Sequence, residues 1–146
     1  MMSRRPAIVL VSMAGLLLAG ACTESTTDRR DSLPEVTPDV GAATLEALDG
    51  SALGTWTQDL TIQGAGAPEL GCSAAPEFGM SEEVFATAFE LPDEVLGELL
   101  LNADAAIRSL TQACADDDDD GIELEATDLA RTVELIEARL DQLEAS

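Results

Sequence analysis

Chemistry in this chain is confined to a handful of side chains. Cys22, Cys72 and Cys114 can act as thiolates or pair as disulfides, and Asp116 to Asp120 stand together in front of Gly121. Histidine is absent, as are lysine and tyrosine. Histidine is the side chain whose unperturbed pKa lies near neutrality, and it is the commonest metal ligand. Its absence removes Ser-His-Asp and Cys-His nucleophile systems and every histidine-bearing zinc site. Carboxylates remain as acid–base groups, but Trp56, Phe78, Phe85 and Phe89 are the whole aromatic inventory for holding a sugar-like substrate. The composition points away from an enzyme and requires no cofactor.

The aspartate run invites comparison with a calcium loop of the form D-x-[DN]-x-[DN]-G. Asp116, Asp118, Asp120 and Gly121 fall on positions one, three, five and six. Position eight is Glu123 where an apolar residue is usual, and position twelve is Thr127, which cannot give the bidentate carboxylate. Any five aspartates before a glycine match the first half by construction. The expectation is a solvated acidic loop, with Asp116, Asp118 and Asp120 as weak candidates for a divalent cation.

Charge narrows the partners. The chain has 29 acidic residues against seven arginines, a formal charge of −22. Such a field repels nucleic acid and anionic headgroups and attracts cations, basic peptides and basic proteins. Abundant acids and alanine without lysine fit either a GC-rich genome or a saline habitat.

The amino terminus gives the sharpest pattern. Arg4 and Arg5 precede Ala7 to Ala19, a run without charge. As a helix that run would span roughly 20 Å, short of the ~30 Å hydrocarbon core, so it fits an export signal better than a stable span. Leu18, Ala19, Gly20 and Ala21 then lead into Cys22. This stretch resembles the lipobox of bacterial lipoproteins, and the resemblance covers residues 1–22 alone. It implies that residues 1–21 are a signal peptide and that Cys22 becomes the mature N-terminus, bearing diacylglycerol and fatty acyl chains such as palmitate. It also implies a place on the extracytoplasmic face of a bacterial cell membrane, held by the lipid anchor. Physical chemistry agrees: Gly20 and Ala21 let a protease grip extended backbone, and Cys22 is the one good nucleophile there. Ala19-Gly20-Ala21 also fits ordinary A-x-A cleavage, and an uncleaved anchor is a further alternative. An odd cysteine count favours acylation, which leaves Cys72 and Cys114 as a structural disulfide pair.

The remaining elements must position these groups. Loss of residues 1–21 removes two arginines and no acid, taking the formal charge from −22 to −24. Residues 22–36 read as the lipidated cysteine and a flexible tether, whose fourteen residues after Cys22 reach on the order of 20 Å. Residues 37–146 read as one all-α domain, a small bundle of four or five helices with a C-terminal antiparallel hairpin and one disulfide. Thr37 and Pro38 open a helix that Gly50 stops. Residues 54–63 alternate like a strand, yet Leu53, Trp56 and Leu60 suit a helix capped by Ser51, and helix is preferred. Residues 64–79 read as a Gly/Pro/Ala loop carrying Cys72. Ser81 caps a short helix with Val84, Phe85, Ala88 and Phe89 as its apolar face. Pro92 opens a helix to about Cys114, striped by Leu96, Leu99, Ala103, Ile107 and Leu110. The last helix, about 125–144, sets Leu129, Val133, Ile136, Leu140 and Leu143 on a heptad-like seam. Residues 115–121 are the acidic loop between them.

The function expected is a non-catalytic interaction module anchored to the cell envelope. The alternative is a ligand-binding lipoprotein, holding a divalent cation at the acidic loop or a small apolar molecule between helices.

Overall fold

Helix starts in this protein are set by short polar residues at the junctions. The computed structural model describes residues 32–64 and 72–146. Five α-helices run through them: α1 (Pro38–Leu48), α2 (Ala52–Gly64), α3 (Glu82–Phe89), α4 (Glu94–Ala115) and α5 (Asp119–Ala145), with a 3-10 turn at Ala75–Phe78. There is no strand among the described residues. The protein is an all-α bundle.

Pro38 stands in the first turn of α1 behind Thr37, where its missing N–H is not needed. Gly50 follows the helix at φ +67°, a conformation that costs glycine least. Ser51 then serves both helices: its hydroxyl donates to the Leu48 carbonyl at 2.9 Å and accepts the Gly54 N–H at 2.9 Å. The ambiguous stretch 54–63 is therefore helix, with Leu53 and Leu60 buried on one face and Trp56 packed beside them. The Trp56 Nε1–H donates to the Phe78 carbonyl at 2.9 Å, so its polar edge is satisfied as a rim residue's should be.

The long helices α4 and α5 form the expected antiparallel hairpin and make the largest interface of the bundle. Leu96, Leu100, Ala103, Ile107 and Leu110 of α4 meet Leu129, Val133, Ile136 and Leu143 of α5 in the core. Helices α1 and α2 lie across α5, while α3 and the 3-10 turn cover α4. Cys72 and Cys114 are bonded, with Cα atoms 5.5 Å apart, tying the segment before the 3-10 turn to the last turn of α4.

Two boundaries and one burial pattern differ from expectation. Helix α4 is capped by Asp93, whose carboxylate accepts the Leu96 N–H at 2.6 Å, rather than opened at Pro92. Helix α5 begins at Asp119, six residues before the anticipated start, because aspartates are good capping and first-turn residues. Of the four residues expected on the apolar face of α3, only Val84 and Ala88 are buried; Phe85 and Phe89 face outward.

Candidate functional site

The acidic run is a tight interhelical turn. Asp116 ends α4, Asp117 takes φ +51°, and Asp118 caps α5 by accepting the Gly121 N–H at 3.1 Å. The Asp118 N–H donates to the Ala113 carbonyl at 3.0 Å and the Asp117 N–H to Cys114 at 3.4 Å. This is a Schellman closure with aspartate where glycine is usual. The Asp116 carboxylate accepts from the Gln112 side-chain amide at 2.9 Å, and Asp119 and Asp120 sit in the first turn of α5. The candidate ligands Asp116, Asp118 and Asp120 are thus divided between a helix end, a cap and a helix start. Among the described residues, no three acidic or cysteine side chains gather as a metal site would need. The seven-residue acidic loop read from the sequence is corrected to a turn of three, Asp116 to Asp118.

A second polar cluster was not anticipated. Arg139 of α5 and Asp93 before α4 are 3% and 2% exposed and meet in a two-pronged pair: Nη2 to Oδ2 at 2.6 Å and Nε to Oδ1 at 3.1 Å. The same guanidinium donates from Nη1 to the Gln142 Oε1 at 2.8 Å and to the Pro34 carbonyl. A fork of this kind suits arginine's planar geometry. It fastens the chain just before α1 to both long helices. Asp104 makes a smaller cluster of the same kind, accepting the Met80 N–H at 2.7 Å and the Arg108 Nε–H at 2.7 Å. Arg108 also donates to the Met80 carbonyl at 3.1 Å, holding the segment between the 3-10 turn and α3 against α4. Every buried side-chain nitrogen and oxygen among the described residues has a partner. Both clusters join segments distant in sequence: Asp93 with Arg139, and Met80 with Asp104 and Arg108.

The concave surfaces among the described residues include two with mainly apolar walls. One is an open groove of about 500 Å³ where α1, α2 and α5 meet, lined by Leu45, Leu48, Leu140, Thr57 and Gln58. The other is a cleft of about 290 Å³ between α3 and α4, lined by Ala88, Phe89, Gly97 and Leu101 with Glu94 and Glu98. Gly97 makes that close approach possible: a Cβ there would lie 2.7 Å from the Ala88 carbonyl oxygen. Phe89, 76% exposed, lines this cleft, and Phe85, 45% exposed, stands one turn earlier on α3; few other large apolar residues are exposed among the described residues.

Cys22 and residues 1–31 lie outside the described residues, as do residues 65–71. No helix among the described residues is long and apolar enough to cross a membrane. No protein-family model, curated protein or solved structure matches this chain.

Proposed function

We propose that the protein is a lipid-anchored, non-catalytic binding module on the extracytoplasmic face of a bacterial cell envelope. The anchor is Cys22, acylated after removal of residues 1–21, and the helical domain is what it displays. The bond between Cys72 and Cys114 supports this reading most. It accounts for two of three cysteines and leaves Cys22, behind its apolar run, as the one available for acylation. A disulfide also suits an exported protein. The domain's acidity favours cationic partners over nucleic acid.

Metabolic labelling with a clickable fatty acid in a bacterium expressing the full chain tests the anchor. The wild-type chain should take up label and sediment with membranes, and Cys22→Ser should take up none, remaining as unprocessed precursor or being shed. Label persisting on Cys22→Ser would contradict the assignment.

A second reading, carriage of a small apolar molecule between helices, draws on the groove at α1, α2 and α5. Its volume lies within the ~300–1,000 Å³ of small-molecule pockets. Its walls mix Leu45, Leu48 and Leu140 with Thr57 and Gln58, and it is open to solvent, so the interaction-module reading is preferred.

A further inference from the structure

Glu82, Phe85 and Phe89 are spaced three and four apart on α3 and share one stripe of that helix. Both phenylalanines are exposed, although a helix this short would gain by burying them. Across the cleft, Glu94 and Glu98 stand one turn apart on α4 and share a face. Ala88, Gly97 and Leu101 form the apolar floor. None of the three arginines among the described residues serves these glutamates. Arg108 is held by Asp104, Arg131 by Asp128 and Arg139 by Asp93. The cleft therefore has an apolar floor, Phe89 on one wall and Glu94 and Glu98 on the other, with no cation paired to them among the described residues.

Deepening the binding-module reading on which it rests, we propose that this face docks a cationic amphipathic segment of a partner protein. Apolar side chains of that segment pack on Phe85 and Phe89. One of its arginine or lysine side chains enters the cleft, with its aliphatic stem along Leu101 and Phe89 and its charge between Glu94 and Glu98. Charge complementarity selects this occupant. A second copy of the chain would bring glutamate against glutamate, and an anionic bilayer would be repelled by the same glutamates. An arginine or lysine head, by contrast, gains from both the carboxylates and the face of the Phe89 ring. At about 290 Å³ the cleft suits a single long side chain rather than a whole small ligand.

The test uses the mature chain, residues 22–146, with Cys22→Ser, so that binding is read without lipid or detergent and independently of whether Cys22 is acylated. The probe is a fluorescent synthetic helical peptide with a leucine face flanked by arginines. Controls carry serine for leucine or glutamate for arginine. Anisotropy titration at physiological salt should show saturable binding of the Leu/Arg peptide alone. Phe85→Ser with Phe89→Ser, and separately Glu94→Gln with Glu98→Gln, should each weaken it at least tenfold. Both pairs are exposed, so melting temperatures should hold; Glu125→Gln with Asp128→Asn, which lie outside the lining of the cleft, should leave binding unchanged. Equal binding of the Ser/Arg peptide, or no effect of either pair, would reduce the attraction to net charge and overturn the proposal. Sedimentation showing a dimer that Phe85→Ser with Phe89→Ser dissolves would assign the face to a second copy instead. Flotation with zwitterionic vesicles that the same substitutions abolish would assign it to a membrane. Either result would overturn the proposal while leaving the anchor at Cys22 untouched.

Discussion

Arg139→Met should cost far more than a surface substitution, because of what it strands. Methionine is of similar length and can fill much of the space. It removes two bonds to Asp93, at 2.6 and 3.1 Å, and those to Gln142 and the Pro34 carbonyl. Asp93 would keep the Leu96 N–H at 2.6 Å but remain a buried carboxylate without a counter-charge. Breaking one side of such a pair costs about 3–5 kcal/mol, against roughly 5–15 kcal/mol for the whole stability of a domain. At about 4 °C per kcal/mol, the melting temperature should fall on the order of 12–20 °C. Adding Asp93→Asn should recover a substantial part of that loss. Asparagine retains an oxygen for the Leu96 N–H, and exchange of both charges is often close to neutral. Urea unfolding followed by far-UV circular dichroism at neutral pH measures both variants. A loss under about 1 kcal/mol for Arg139→Met, below the ~3–5 kcal/mol of a broken buried pair, would refute the reasoning. So would a double variant less stable than the single.

Three further outcomes follow from the hairpin and its turn. Asp117→Gly should stabilise the protein by about 0.5–1 kcal/mol, since φ +51° strains a side-chain-bearing residue and glycine is the usual closure there; an unchanged or lower melting temperature would count against it. Reduction of the Cys72–Cys114 bond, which joins residues 42 apart, should cost up to about 4 kcal/mol by chain entropy, and differential scanning calorimetry with and without reductant reads the fall. Sodium and calcium chloride at matched ionic strength should raise the melting temperature similarly as the Debye length drops from about 10 Å at 0.1 M to about 3 Å at 1 M; a calorimetric titration saturating at one calcium per chain would contradict the split of Asp116, Asp118 and Asp120 between two helix ends.

Much of the fold was legible because its junctions use residues with a local mechanism. Pro38, Gly50, Ser51 and Ser81 mark starts and stops through a first-turn proline, two side-chain caps and a positive φ that need no tertiary context, while Thr37 holds the N-cap position without a side-chain cap bond. The seam from Leu129 to Leu143 and the stripe from Leu96 to Leu110 were readable from their spacing. What escaped depends on distance or on competing tendencies. Five adjacent aspartates read as a repelling loop, whereas Asp118 to Asp120 are acids at a helix N-terminus, where they are favourable. Asp93 and Arg139 lie 46 residues apart, and nothing in either local pattern pairs them. A signal existed all the same: Arg139 lies three residues from Ile136 and four from Leu143, beside the apolar seam, where a solvated arginine is not expected. Phe85 and Phe89 were read as core because aromatics usually are, but the short α3 offers α4 only the side that carries Val84 and Ala88. The candidate docking face was hidden by that same reading.

The central claim is that this domain hangs from a lipid at Cys22, and intact mass of the membrane-bound protein tests it most directly. The account predicts a chain beginning at Cys22, heavier than its sequence mass by a diacylglycerol, with or without a further N-acyl chain, and lighter by two hydrogens for the Cys72–Cys114 bond. An unlipidated chain beginning at Cys22, or an intact chain still beginning at Met1, would contradict it.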